Sequence, residues 1–406
     1  MKDKLKIAFI GTNDYPIPAI YGGAIQTLVT ALLDENEKVH NFDIDVYTVF
    51  AAELNKATKK YNFTHFIPIK NDIFSKSYLL LVRILRRITH NAVRYNSIYM
   101  KKIFGLMNNN NYDAIIFETT DKEVVQLPRK IKESSKIIYH IHADYLNNET
   151  DRICEIVDKV DYFVGVSNFI KYSLGKIATI DQNHIKVLKN AIDINDIYIN
   201  NENEMLRTNI RKKYGFSDND MVLMFCGRLS PEKGCLELIK AVNKLEHLDG
   251  IKLMIIGGDN FSSNKTTEYV NKLYKEANRQ KNKIKFVGYV PHKNVRQYML
   301  AADVGIVPSV CNESCSLTLM EYRSVKLPTI ATNIGGIPEY CTPESTCLVK
   351  FDRLYIQNLA DAIEEIYTDV ERRNKMKKHA VMNLNEFGYV SYYKRFSEMI
   401  YQICKK

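Results

Sequence analysis

Short apolar segments alternate with helical patterns along the whole chain of 406 residues, and this alternation constrains the fold more than any other feature. In the first half, strands are predicted at Leu5–Gly11, Asp43–Phe50, Asp113–Glu118, Lys136–Ile141, Tyr162–Val166 and Ile185–Leu188. In the second half, they are predicted at Met221–Cys226, Lys252–Ile256, Ile284–Val287, Val304–Pro308, Thr329–Ala331 and Thr346–Val349. Strands that alternate with helices are typical of βα units and parallel sheets.

A polar interval from Asp193 to Asp220 separates the two series of strands. A chain of this length is too long for one small core. We therefore predict an α/β protein with two doubly wound, Rossmann-like domains, residues 1–195 and 196–386, followed by a C-terminal helix within residues 387–406. That helix can pack on either domain, including back on the first. Functional loops are expected at the carboxyl edge of each sheet, and two such edges that face each other would form a cleft.

The net charge of +10 is unevenly distributed. Residues 76–102 combine an apolar stripe at helical spacing (Tyr78, Leu81, Leu85, Ile88) with a basic face (Arg83, Arg87, His90, Arg94). A basic amphipathic helix is typical of contact with an anionic surface, here a membrane or a lipid-phosphate acceptor. The alternative is a solvated basic face whose apolar stripe packs on its own domain. Nucleic-acid binding is not expected, because the basic stretch is short and carries no known binding motif.

The sequence indicates a cytoplasmic protein. It contains no apolar run of the length that a membrane-spanning helix requires, and Met1–Lys4 leads directly into a strand without a signal peptide. If the basic helix contacts lipid, the protein would lie peripherally on the inner face of the membrane. The eight cysteines are expected as free thiols, and their spacing does not suit a zinc site.

Glu313 and Glu321, eight positions apart, bracket a loop that turns into a helix after the strand at residues 304–308. A helix amino terminus above a sheet edge favours phosphate binding, because it presents free backbone N–H groups and a partial positive charge. The two carboxylates can then bind hydroxyl groups on either side of that phosphate. The arrangement suits a nucleotide-sugar, although two acids at this spacing also occur by chance on a solvated helix face.

The segment Gly227–Gly234 follows another predicted strand and precedes a helix that begins near Cys235. Its Arg228 and Lys233 place two cations at the top of the sheet, a suitable pair for a diphosphate. A surface turn whose basic residues face water is the alternative.

In the first domain, Gly22 and Gly23 precede a predicted helix and allow backbone amides to approach an anion. Because GxGxxG is absent, a nicotinamide cofactor is not expected. The alternative is a proline-stiffened loop with a glycine turn.

His140 and His142 lie at the end of a first-domain strand, with His142 nearer the edge. His142 can hydrogen-bond a sugar hydroxyl or help to move a proton, although a histidine at a strand end is often structural. Asp43-Ile44-Asp45 matches a metal-diphosphate motif, but we interpret it as the start of a strand.

Together these segments resemble the family-4 retaining glycosyltransferases of GT-B architecture over nearly the whole chain. Glu313 and Glu321 satisfy the E-x7-E motif of that family. The other matching segments are Pro16–Ala24, His142, Val166-Ser167, Asn190–Asp193, Gly227–Gly234, Phe286–Val290 and Ala331–Glu339. The Tyr15–Gln26 loop is particularly similar to spore-coat-protein-SA-type and capsular polysaccharide members. The chain departs from the family at Ser316, where many relatives have glycine, and at Ala191, where Asn-Gly is more usual.

The resemblance implies a role for each matching residue. Arg228 and Lys233 would hold the donor diphosphate and stabilise the leaving nucleotide, Glu321 would bind the ribose, and Glu313 would contact the donor sugar. Main chain near Tyr289 would face the base. The remaining donor contacts would come from Gly22, Gly23 and Gly227, from the amides of Ser316, Leu317 and Thr318, and from His142 beside the transferred sugar.

The function that follows is transfer of a sugar from a UDP- or GDP-sugar to a glycan or lipid-linked acceptor in cell-surface polysaccharide or coat biosynthesis. No cofactor and no metal are expected, because Arg228 and Lys233 meet the charge of the leaving group. A second hypothesis is a coat or scaffold protein that keeps the fold and binds nucleotide without turnover. A phosphorylase or sugar-nucleotide epimerase on the same two-domain plan is a third.

Overall fold

The computed structural model describes residues 4–70, 97–107, 110–118, 122–194, 201–258 and 267–404. By their internal contacts, the residues divide into a first unit, Met1–Asn190 with Tyr389–Lys406, and a second unit, Ala191–Gly388. The domain limits predicted from sequence lie at residues 195 and 386. Most of the predicted basic helix, residues 76–96, lies outside the described residues.

The described part of the first unit contributes seven parallel strands to one sheet, in the order β3-β2-β1-β4-β5-β6-β7. They are β1 (Leu5–Ile10), β2 (Phe42–Val49), β3 (Thr64–Ile69), β4 (Ala114–Phe117), β5 (Lys136–Ile141), β6 (Tyr162–Gly165) and β7 (Ile185–Val187). Up to residue 190, the described α-helices of the first unit are α1 (Ala24–Val39), α2 (Leu54–Ala57), α3 (Ile98–Met107), α4 (Arg129–Ser134), α5 (Ile153–Lys159) and α6 (Asn168–Gly175).

The six strands predicted for this half are confirmed, but β3 was not predicted. Its sequence contains Pro68, which lacks a backbone N–H and therefore argues against a strand inside a sheet. The strand is tolerated because β3 lies at the edge of the sheet, where it pairs on one side with β2.

The second unit has the second predicted sheet. Its described residues contribute six parallel strands in the order β10-β9-β8-β11-β12-β13. They are β8 (Met221–Cys226), β9 (Ile251–Ile256), β10 (Ile284–Gly288), β11 (Val304–Val307), β12 (Thr329–Asn333) and β13 (Thr346–Lys350). The helices are α7 (Asn201–Tyr214), α8 (Cys235–Lys244), α9 (Glu268–Ala277), α10 (His292–Ala301), α11 (Leu317–Ser324), α12 (Tyr355–Thr368) and α13 (Val370–His379). The six predicted strands are confirmed, with bounds that differ by at most two residues.

Both faces of the second sheet are covered by helices. Leu223 and Phe225 of β8 enter one apolar core with residues of α8 and α12, whereas Val222 and Met224 enter the other with residues of α10 and α11. Successive strand residues point to opposite faces, so a strand buried on both faces is apolar throughout. This explains the continuous run Met221–Cys226.

The order of strands defines a switch point in each sheet. In the second unit, β8 and β11 are neighbours and the chain winds outward from them in opposite directions; in the first unit, β1 and β4 have the same relation. Ligands of such sheets bind outside the carboxyl ends of the strands at the switch point. The loops after β8 and β11 are the two that the sequence indicated as phosphate-binding.

The C-terminal helix, α14 (Tyr389–Cys404), belongs to the first unit. The ring of Phe396 stacks on Phe9 of β1 with centroids 5.8 Å apart. The Tyr393 hydroxyl donates to Asn36 Oδ1 of α1 over 2.7 Å. Within the described ranges, every helix is too short or too polar to cross a membrane.

Candidate functional site

The loops after β8 and β11 are in direct backbone contact at the switch point of the second unit. The Val310 amide donates to the Glu232 carbonyl over 3.0 Å. Gly234 has φ +69°, and a Cβ atom there would lie 1.8 Å from the Pro308 carbonyl oxygen. Only glycine combines this conformation with so close an approach. The two loops therefore form one surface at the strand ends.

A lysine–glutamate pair lies on this surface. Lys233 Nζ lies 2.5 Å from Glu313 Oε1, and the Ser309 hydroxyl donates to the same oxygen over 2.5 Å. The lysine side chain is 29% exposed and the glutamate side chain 8%. The structure thus brings together two residues that lie eighty positions apart and that the sequence assigned to different parts of a donor. Ser309 was not predicted, although it directly follows Pro308 at the end of the strand.

The loop after β12 braces the backbone of Glu313. The Gly336 amide donates to the Glu313 carbonyl over 2.7 Å. This contact gives the Ala331–Glu339 segment a structural role: it holds the glutamate loop from the neighbouring strand.

Helix α11 begins beside Glu313. Ser316 is its N-cap, and the side-chain oxygen accepts from the Leu319 amide over 3.4 Å. The first amides of a helix, here those of Leu317 and Thr318, have no carbonyl partner within the helix and carry a partial positive charge. Serine at position 316 therefore supplies a cap that glycine would not, while the next two amides can still bind an anion.

Glu321 lies within α11 and pairs with a residue that the sequence did not indicate. His292, the first residue of α10, has Nε2 2.8 Å from Glu321 Oε1. The hydrogen bond to Glu321 raises the pKa of His292 above its ordinary value. The histidine side chain is 80% exposed and that of Glu321 22%. Their sequence separation gives no signal of the contact.

The other predicted residues of the second unit surround this edge. Arg228 is 57% exposed, with its guanidinium 3.4 Å from Glu232, so its charge is available to solvent. Tyr289 directly follows β10 and is 61% exposed. Gly227 lies against Gly257 after β9, where a Cβ atom would lie 1.8 Å from the Gly227 carbonyl oxygen. Close approach therefore requires glycine at 257, which was not predicted.

In the first unit, Gly22 and Gly23 have φ +83° and +101° and lead into α1 as predicted, with Gly23 as the N-cap. The Gln26 side chain folds back from the first turn and donates to Thr12 Oγ1 over 2.8 Å. The first turn of α1 contains no acidic residue. A negatively charged group at this turn would therefore meet no like charge from the turn itself.

His142 belongs to a buried cluster with His140 and Glu118. His142 Nε2 lies 2.7 Å from Glu118 Oε2, and His140 Nδ1 lies 3.0 and 3.1 Å from the two carboxylate oxygens. Glu118 was predicted only as a strand end. Its signal was available in principle, because Glu118 directly follows β4 and the two histidines lie at the end of β5, the neighbouring strand.

Asp43 and Asp45 lie in β2, as interpreted from the sequence. Asp43 pairs with His40 over 2.9 Å, and Asp45 accepts from the Tyr112 hydroxyl over 2.6 Å. Both carboxylates thus have partners within the protein.

The chain is similar to known glycosyltransferases. Residues 207–381 match the family described as Glycosyl transferases group 1. A putative glycosyltransferase of Bacillus subtilis, YtcC, is 28% identical over 93% of this chain and 86% of its own length. Spore coat protein SA of the same organism is 22% identical, over 93% of each chain.

The fold is that of solved GT-B structures. The crystal structure of Anabaena Alr3699/HepE in complex with UDP-glucose superposes with a TM-score of 0.72 at 17% identity, over 98% of this chain and 100% of that one. The matched family covers most of the second unit, including Arg228, Lys233, Glu313 and Glu321. Residues 207–381 therefore form a Glycosyl transferases group 1 domain, and the protein is a transferase with the two Rossmann-like domains of the GT-B fold.

Proposed function

We propose that this enzyme transfers a sugar from a UDP- or GDP-sugar to a glycan or lipid-linked acceptor, with retention of the anomeric configuration. The observation that carries the proposal is the meeting of the β8 and β11 loops at the switch point of the second unit. There, Lys233, Glu313 and the amino terminus of α11 share one edge of the sheet. The HepE complex with UDP-glucose supports a nucleotide-sugar donor, and UDP in particular.

The chemistry proposed is stabilisation of the leaving group. When the bond between the sugar and the diphosphate breaks, its electron pair passes to a phosphate oxygen, and the sugar becomes oxocarbenium-like. Arg228, Lys233 and the amides of Leu317 and Thr318 meet the new charge with fixed positive groups. The acceptor hydroxyl attacks from the face that the diphosphate leaves, forms the new glycosidic bond and gives its proton to the departing phosphate oxygen. No metal has a role in this proposal.

The remaining donor contacts follow the chemistry of each side chain. Glu321 binds the ribose hydroxyls, Glu313 contacts the sugar, and main chain near Tyr289 faces the base. Because Glu313 already accepts from Lys233 and Ser309 through Oε1, its other oxygen is the one assigned to the sugar.

The first unit adds residues that bear on the diphosphate and the transferred sugar. Its Gly22 and Gly23 offer backbone amides to the diphosphate at the start of α1. Its His142 is assigned to the transferred sugar.

The proposed setting is cell-surface polysaccharide or coat biosynthesis at the inner face of a membrane. The proposed contact with that membrane is made by the basic side chains of residues 76–102. Similarity to spore coat protein SA supports the role in coat or polysaccharide biosynthesis. The membrane contact is tested by reversing the charges of Arg83, Arg87 and Arg94 and measuring sedimentation with anionic liposomes. Binding that survives the change would show that these arginines are only a solvated face.

A panel of nucleotide-sugars, screened by thermal unfolding, tests the donor assignment. A ligand present at 100 times its Kd stabilises the folded state by about 2.7 kcal/mol, which raises the Tm by several degrees. The stabilising donor is then incubated with glycan and lipid-linked acceptors, and NMR reads the anomeric configuration of the product. Inversion would refute retention. Stabilisation without turnover on any acceptor would favour the alternative, a coat or scaffold protein that binds nucleotide.

A further inference from the structure

Ser309 is bound directly to the glutamate of the candidate site. It lies just beyond Pro308, which follows β11, and it precedes Glu313 in the same loop. The serine is 2% exposed, and its hydroxyl donates to Glu313 Oε1 over 2.5 Å. A hydroxyl that donates to a carboxylate makes a short, charge-assisted hydrogen bond of this kind. The two side chains therefore form one buried unit, with no water between the bonded atoms.

The backbone of this loop is braced from both neighbouring strands. On the side of β8, the Val310 amide donates to the Glu232 carbonyl over 3.0 Å. On the side of β12, the Gly336 amide donates to the Glu313 carbonyl over 2.7 Å. A Cβ atom at Gly335 would lie 2.4 Å from that same carbonyl oxygen, so the two backbones are in close contact. These contacts fix the place from which the glutamate side chain extends.

Lys233 shares the same glutamate oxygen but is the more mobile partner. Its Nζ lies 2.5 Å from Glu313 Oε1, and its side chain is 29% exposed, against 8% for the glutamate. A lysine ammonium lies at the end of a flexible four-carbon stem and has three N–H donors. In the proposed reaction Lys233 also stabilises the diphosphate, so it has to direct N–H groups toward a phosphate oxygen. A glutamate held by the lysine alone would lose its orientation when the leaving group forms.

We infer that Ser309 is a positioning residue, which keeps Glu313 Oε1 hydrogen-bonded while Lys233 turns to the diphosphate and so keeps Oε2 directed at the donor sugar. The inference rests on the proposed roles of Lys233 and Glu313. Within the described ranges, both hydrogen bonds of the Glu313 side chain are made through Oε1, so a carboxylate that followed the lysine would also move Oε2. A buried acceptor that loses its donors is destabilised, because water does not replace them. Ser309 supplies the donor that stays.

The decisive variant is Ser309→Ala, which removes the hydroxyl. We expect kcat to fall about 10- to 100-fold, the range that corresponds to losing a hydrogen bond to a charged group. Affinity for the nucleoside diphosphate should change less than about twofold, because that ligand has no sugar for Glu313 to contact. An equal loss of affinity for the nucleoside diphosphate and for the intact donor would refute the positioning role.

Ser309→Cys separates the hydrogen bond from the packing of the side chain. It keeps nearly the volume of serine and offers only a weak S–H donor, so kcat should fall as it does in Ser309→Ala. This variant also leaves no cavity, which keeps the test valid if Ser309→Ala does not fold. Wild-type kcat in Ser309→Cys would overturn the inference.

A positioning residue acts only through the residue that it positions. In the Glu313→Ala background no carboxylate is left, so the addition of Ser309→Ala should lower kcat by less than about twofold. Persistence of the full effect in that background would show that Ser309 acts by another route.

Ser345→Ala is the matched control. Ser345 is also a buried serine of the second unit, and its hydroxyl is hydrogen-bonded to that of Thr342. It directly precedes β13 and therefore lies at the amino edge of the sheet, opposite the edge that carries the candidate site. Ser345→Ala should leave kcat unchanged. Equal losses of kcat in Ser345→Ala and Ser309→Ala would refute the positioning role.

The wild-type enzyme offers a test that requires no variant. In a crystal structure with the intact nucleotide-sugar and no acceptor, we expect Lys233 Nζ to contact a phosphate oxygen and the Ser309 hydroxyl to remain bonded to Glu313 Oε1. Separation of Ser309 from a Glu313 that still contacts the sugar would contradict the positioning role alone. A nucleotide-sugar bound away from Lys233 and Glu313 would contradict the proposed function, and the inference with it.

Discussion

Replacement of Lys233 by methionine should separate the structural role of this lysine from its proposed role in catalysis. The variant keeps the apolar stem and removes the cation that lies 2.5 Å from Glu313. Removing one partner of a buried ion pair destabilises a protein by about 3–5 kcal/mol. Lys233 is 29% exposed and the Ser309 hydroxyl remains bonded to Glu313, so partial replacement by water and hydroxyl lowers the effect. We expect a loss of about 2–3 kcal/mol.

A double-mutant cycle with Glu313→Gln isolates the pair. The neutral amide does not require a cation, so Lys233→Met should be far less harmful in that background, with a coupling of about 1–3 kcal/mol. The chain lacks tryptophan, so native-state hydrogen exchange by mass spectrometry, read on peptides that cover β8 and β11, is a suitable assay. Lys244→Met, at an exposed position in α8, is the control and should change stability by less than about 0.5 kcal/mol.

Lys233→Met should also lose activity, because it removes one of the two cations proposed to stabilise the leaving group. Arg228→Ala separates this effect from the loss of stability. Arg228 is 57% exposed, so Arg228→Ala should leave the exchange of β8 and β11 unchanged, yet lower kcat at least ~100-fold as a lost charge-stabilising donor does. Lys233→Met should show both effects. A coupling below about 0.5 kcal/mol would refute the structural argument, and full activity in either variant would refute the catalytic one.

Three further predictions follow from the second unit. Glu321→Gln should weaken nucleoside diphosphate binding about tenfold or more, as expected for losing hydrogen bonds to a charged group, and unchanged affinity by calorimetry would count against ribose contact. His292→Ala should destabilise the protein by about 0.2–1 kcal/mol below pH 6 and not at pH 8.5. The pKa of His292 is raised in the folded state, so the protonated histidine stabilises the fold at pH values below its unfolded-state pKa, near 6.5, and this stabilisation is lost as the pH rises through its folded-state pKa. Equal unfolding curves of His292→Ala and wild type at pH 5.5 would contradict this prediction. Gly234→Ala should unfold the second unit or lower its Tm far more than Gly215→Ala, because a Cβ atom at 234 meets Pro308 whereas one at 215 meets nothing within 4 Å; similar Tm values would refute the close approach.

The sequence predicted the fold well where local pattern determines structure. A strand such as β8 is apolar throughout because both faces are buried, and its length and the turn after it are visible in the chain. The edge strand β3 was missed because half-buried positions and Pro68 weaken that pattern. The C-terminal helix was predicted, but its place in the first unit depends on contacts such as Phe396 with Phe9, which no local pattern encodes.

The sequence could not predict which side chains of the candidate site contact each other. The loops that bear Lys233 and Glu313 were identified separately, but their pairing depends on β8 and β11 being neighbours in the sheet. Glu118 remained unrecognised for the same reason, since its relation to His142 arises only when β4 and β5 align. Side-chain chemistry can be read along a chain, whereas these contacts require the order of the strands.

The most direct test of the central claim is a crystal structure of the enzyme with the nucleoside diphosphate that stabilises it most. We expect phosphate oxygens within hydrogen-bond distance of Arg228, Lys233 and the first amides of α11, with the ribose on Glu321. A nucleotide bound away from the carboxyl ends of β8 and β11, or one whose phosphates contact neither cation, would contradict it.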